Sequence, residues 1–114
     1  MYSSLAIIAI LTLHFIADFP MQCAFLKQYK SESFYLLFVH CMIYSGIVFF
    51  GFYYLFGAGI LVFIALLTSH IAIDDCKCIF LKDREKDIQY AKSLLYIDQA
   101  LHLVCLGLLL CLYV

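Results

Sequence analysis

Leu67 to Asp75, LTSHIAIDD, closes a run from Ala58 to Ile73 that carries no charged residue. An ionisable group is costly at the end of such a run, so His70, Asp74 and Asp75 need compensating partners. His70 and Asp74 are four positions apart, which sets them on one face of a helix, one above the other. The same order stands near the start of the chain, where Leu11 to Asp18, LTLHFIAD, repeats LT-x-H-x-x-x-D with His14 and Asp18. Asp98 and His102, in IDQALH, form a third pair in reversed order. Three such pairs predict one polar site inside an apolar helical protein.

The composition identifies the solvent. Of 114 residues, 67% are hydrophobic and 13% charged, with a mean hydropathy of +1.04. Soluble domains hold roughly 45–50% apolar and about 25% charged residues. A soluble domain this short cannot bury so much apolar surface, so the expected solvent is the lipid bilayer. Seven basic and eight acidic residues offer no basic surface for nucleic acid. The six cysteines, at 23, 41, 76, 78, 105 and 111, lie in or beside apolar runs and read as small buried hydrophobes rather than a disulfide framework. Cys76 and Cys78 are too close and too solitary for a zinc ribbon.

Hydropathy divides the single domain, residues 1–114, into four spans at about 3–19, 34–56, 58–75 and 93–114. The first lacks a basic leader and a small-residue cleavage site, so it reads as a retained span closed by Pro20. Residues 21–33 form a polar connection, with Ser31 or Ser33 as the N-cap of the second span. Gly46 and Gly51 offer small faces for a neighbouring helix. Gly57 to Gly59 allow only a tight antiparallel hairpin. Residues 76–92 hold most of the charge in alternating sign, as in a solvated loop or short surface helix. The fold class is all-α, a polytopic membrane protein with an up-down-up-down four-helix transmembrane bundle. All seven Lys and Arg (27, 30, 77, 82, 84, 86 and 92) flank two loops on one side. The positive-inside rule makes those loops cytoplasmic and puts both termini outside, in an inner (cytoplasmic) membrane. His14, His40, His70 and His102 then share the cytoplasmic half. The repeated LT-x-H-x-x-x-D also fits a duplicated hairpin, with His40 in the place of His102.

Imidazole nitrogens and carboxylate oxygens ligate a divalent metal without thiolates, zinc foremost, iron or manganese otherwise. Neighbouring buried carboxylates repel each other's charge unless a cation lies between them. The metal candidates are His14, Asp18, His70, Asp74 and His102. His40, isolated on its helix, is either a further ligand or a packing histidine. Gln22 and Gln99 are supporting groups, and Lys77 and Lys30 are loop lysines able to neutralise an anionic head group. Asp75 points away from Asp74, toward Lys77 or solvent. The alternative is polar glue, each aspartate accepting a hydrogen bond from a histidine of a neighbouring helix.

Read in order, His14, Asp18, Phe19 and Gln22, then His40, then Ser69, His70, Ile73, Asp74 and Lys77, then Asp98, Gln99 and His102 form a pattern over nearly the whole chain. It resembles a family of small bacterial and phage membrane proteins classed as domain of unknown function 3307. The chain departs from that pattern at Lys77, three residues after Asp74, and in the single histidine His40. The resemblance implies a polar intramembrane site built from these motifs, and supplies no activity. In design, though not in sequence, the arrangement is similar to membrane-embedded metal-dependent hydrolases of the ceramidase-like class.

The leading functional expectation is a metal-dependent hydrolase acting on a lipid-like or amphiphilic substrate at the cytoplasmic leaflet. His14, His70 and His102 with an aspartate would hold the ion, and Asp74 or Asp98 would serve as general base. The alternatives are a non-enzymatic metal-ion or proton carrier and a phage structural or holin-like membrane protein. Self-association into a homo-oligomer is compatible with four short spans.

Overall fold

A computed structural model describes residues 2–18, 33–81 and 87–114. Pro20, Gln22, Cys23, Lys27, Lys30, Ser31 and the charges at 82–86 lie outside the described residues. Within those described there are four helices and no strand: α1 (Tyr2–Asp18), α2 (Phe34–Phe56), α3 (Ile60–Leu81) and α4 (Ile88–Cys111).

The second helix has the boundaries read from sequence, and the other three shift for local reasons. Nothing in Ile60–Leu81 breaks a helix, since it has neither proline nor glycine. It therefore runs through Asp75 to Leu81 and converts the first part of the expected charged loop into two more turns. At the other side of that loop α4 starts at Ile88, five residues before Ser93, with Asp87 as its N-cap. Asp87 Oδ1 accepts from the Tyr90 backbone N–H at 3.1 Å and its carbonyl from Ala91 at 2.9 Å, an N-cap that satisfies donors the helix cannot. The Tyr90 hydroxyl donates to the Phe80 carbonyl at 3.1 Å, tying the end of α3 to the start of α4. Ser33 holds the N-cap position of α2 with an extended backbone but makes no side-chain cap.

Gly57 closes α2 in the left-handed conformation, φ +66°. Its N–H donates to the Tyr53 carbonyl at 2.8 Å and the Ala58 N–H to Phe52 at 3.5 Å, which satisfies the last carbonyls and reverses the chain. Each helix packs on its predecessor. Asp18, ending α1, meets His40 in the second turn of α2, and between α3 and α4 the contacts Phe80 to Tyr90, Lys77 to Asp98 and Asp74 to His102 step back along one helix and forward along the other. Successive helices therefore run in opposite directions. Gln99 bonds back to His14 and Asp18 and so joins α4 to α1. A side chain at Gly51 would strike Leu13 and Ile10, so α1 passes closely there, whereas one at Gly46 would meet nothing.

The bundle is apolar outside and polar within. Exposed side chains include Leu5, Ile8, Phe50, Leu61, Val104 and Leu108. His14, His40, His70, His102, Asp18, Asp74 and Asp98 are all buried. Towards the Gly57 end the interior turns apolar, with Ile10, Val48, Phe52, Val62, Leu66, Leu106 and Leu110 packed together. Thr12 and Thr68, equivalent in the two repeats, each donate to the carbonyl four residues back at 2.8 Å, which satisfies a hydroxyl on an apolar surface. The helices α2 and α4 are long and apolar enough to cross a membrane. The apolar part of α1 is shorter, and α3 takes up Asp74, Asp75 and Lys77 in its last two turns.

Candidate metal centre

Four donor atoms from three helices converge: Asp18 Oδ1 (α1), His40 Nε2 (α2), and His70 Nε2 and Asp74 Oδ2 (α3). His40 Nε2 lies 3.0 Å from Asp74 Oδ2 and 3.1 Å from His70 Nε2. His70 Nε2 lies 3.4 Å from Asp74 Oδ2. Asp18 Oδ1 is farther, 3.5 Å from His40 and 3.7 Å from His70. A tetrahedral ion with bonds of ~2.1 Å keeps its ligands ~3.4 Å apart, which is the scale of the separations among His40, His70 and Asp74 and of those from Asp18 to the two histidines. Two carboxylates beside two imidazole nitrogens offer more acceptors than N–H protons, and a cation relieves that excess.

His14 is engaged elsewhere. Its Nδ1 pairs with the Tyr44 hydroxyl and its Nε2 with Gln99 Oε1 at 3.2 Å. The amide oxygen can only accept, so the network assigns the imidazole proton to Nε2, leaving Nδ1 to accept from Tyr44. Gln99 then donates to Asp18 Oδ2 at 2.7 Å and Asp98 Oδ2 at 3.1 Å. His14 thus orients Gln99, and Gln99 orients Asp18. The Tyr44 ring stacks on His70, with centroids 3.9 Å apart and planes at 19°, and holds that imidazole in place.

On the other flank His102 lies against His70, ring centroids 4.2 Å apart. Its Nε2 is 3.8 Å from Asp74 Oδ1 and its Nδ1 3.6 Å from Asp98 Oδ2. Lys77 turns to Asp98, Nζ to Oδ2 3.4 Å, and not to Asp75, which is exposed. The extra turns of α3 bring Lys77 there, where a loop would have left it in solvent.

These buried clusters can hold a metal ion. Donor atoms fall within 4.8 Å of one another in three sets: Asp18, His40 and His70; Cys41, His70 and Asp74; and Asp18, Asp98 and His102. His40, which sequence left open between ligand and packing group, lies at the middle of the first. Two contributors lie outside the motifs. Tyr44 follows His40 by four residues and so shares its face. Cys41, a buried hydrophobe by its apolar surroundings, brings a sulfur to His70 and Asp74.

No curated protein and no solved structure matches the chain. A family model matches residues 6–114, nearly its whole length, and the chain belongs to that family, described as protein of unknown function (DUF3307).

Proposed function

We propose that this protein is a four-span membrane protein that binds a divalent ion, zinc in the first instance, and uses it as a hydrolase on an amphiphilic substrate at the cytoplasmic leaflet. The observation that carries the reading is that His40, His70 and Asp74 stand at metal-ligand spacing, with Asp18 3.5 and 3.7 Å from the two histidines, inside a bundle whose outer surface is apolar. Imidazole and carboxylate donors suit zinc, and iron or manganese accept the same set.

His40, His70 and Asp74 are the closest three donors and would fix the ion. Asp18 is the most distant, and its second oxygen is held by Gln99, so it is the ligand that yields to an incoming group. An open position of this kind distinguishes a catalytic zinc from a structural one. Bound there, a metal supplies Lewis acidity and lowers the pKa of water. With one ion bound, Asp98 is the candidate base, beside His102 and paired with Lys77. A cavity of about 100 Å³ between α3 and α4 reaches Asp98 and Lys77 past Ile73, Leu94, Ile97 and Leu101. Its walls are almost wholly apolar, which suits the hydrocarbon part of an amphiphile.

A carrier would need polar groups across the whole bundle. The half towards Gly57 is instead filled by Ile10, Val48, Phe52, Val62, Leu66, Leu106 and Leu110, which favours a centre reached from one side.

Elemental analysis of protein purified in mild detergent tests the reading. About one metal per chain is expected, lost in His40→Ala and His70→Ala with helicity retained, together with metal-dependent cleavage of a lipid-like ester or amide. A folded chain that takes up no added metal would end it.

A further inference from the structure

We infer that Asp98, His102 and Asp18 form a second divalent-cation position beside the first, bridged to it by Asp74, and that the Lys77 ammonium is its built-in competitor. This rests on the metal-centre reading above and extends it from one ion to two.

Four observations point there. Donor atoms of Asp18, Asp98 and His102 lie within 4.8 Å of one another. His102 is 3% exposed, yet neither of its ring nitrogens makes a hydrogen bond among the described residues, nor does Asp98 Oδ1. Burying such groups without partners is costly, and a cation would ligate them. The two oxygens of Asp74 face different histidines, Oδ2 towards His40 and His70 and Oδ1 towards His102 at 3.8 Å, the disposition of a bridging carboxylate. Finally, a positive charge already stands at the position, since Lys77 Nζ is 3.4 Å from Asp98 Oδ2.

Charge explains the competition. Asp18, Asp74 and Asp98 carry three negative charges, which Lys77 and one divalent ion balance. A second divalent ion adds two positive charges in a buried place and must displace the ammonium from Asp98, so it binds more weakly than the first. Helical bundles build paired-metal sites in this way, with inward carboxylates and histidines one turn apart on facing helices, and paired ions stand ~3.5–4 Å apart.

The test is a Mn²⁺ titration of the full chain in detergent after chelator stripping, with free and spin-coupled Mn²⁺ read by electron paramagnetic resonance. Two equivalents are expected, the second at least about tenfold weaker, with a coupled signal when both are bound. Lys77→Met should tighten the second about tenfold or more by removing the nearby charge. A second equivalent appearing only in that variant also supports the proposal. His102→Ala and Asp98→Asn should lose the second equivalent and the coupled signal and keep the first, which serves as their folding control. One equivalent in both the wild type and Lys77→Met overturns the second position and leaves the first centre standing. A second equivalent that survives in His102→Ala and Asp98→Asn overturns the assignment. No binding in any of them overturns the centre itself.

Discussion

Asp74 contacts both sides of the cluster, so its removal should do the most damage to metal binding. Asp74→Ala, His40→Ala and His70→Ala are expected to abolish stoichiometric metal, whereas Asp18→Asn, which removes the most distant donor, should weaken binding and leave some. Isothermal titration with Zn²⁺ separates the two outcomes. Tyr44→Phe removes the hydroxyl bonded to His14 and keeps the ring stacked on His70. Loss of such a supporting contact costs roughly 10- to 100-fold in affinity elsewhere, and Tyr44→Phe and Gln99→Leu should fall in that range. Because imidazoles ligate only when neutral, protons compete with the metal, and occupancy measured across a pH series should fall on acidification. At this scale the sequence was partly legible. A spacing of four puts His14 above Asp18 and His70 above Asp74, but the chemical difference between the two histidines was hidden. His14 bonds to residues 30 and 85 positions away, and no local pattern reports such partners.

The helices depend on a few end contacts. Gly57 is left-handed, a conformation that costs a residue with a Cβ about 1–2 kcal/mol. Gly57→Ala should therefore lower the unfolding midpoint in detergent, with metal stoichiometry unchanged because the turn is at the far end from the centre. Gly51→Val places atoms against Leu13 and Ile10. It should push α1 from α2, loosen the approach of Asp18 to His40 and weaken metal binding in the same titration. The sequence located α2 to the residue because charge stops at Glu32 before its start and Gly57 follows its end. Hydropathy cut α3 short at the charged Asp74, Asp75 and Lys77, although Cys76 to Leu81 holds a single charge and no residue that breaks a helix. Those turns carry Lys77 to Asp98.

For the whole molecule, the contrast between apolar exterior and polar interior sets the expected behaviour. The chain should stay in the membrane fraction through alkaline carbonate washing. A phosphatase fused after Val114 should be active only outside the cytoplasm, as the one-sided placement of Lys and Arg requires; an inactive fusion would invert the proposed topology. The sequence by itself determined the all-α class, the apolar exterior and the pairing of a histidine with an aspartate on each of three helices, since composition and a 3.6-residue period act locally. Only the tertiary structure decided that His40 joins His70, Asp74 and Asp18, that His14 turns to Tyr44 and Gln99, and that Lys77 answers Asp98. Those choices depend on how far each helix is rotated and slid against its neighbours, which is fixed by side-chain packing between residues far apart in the chain.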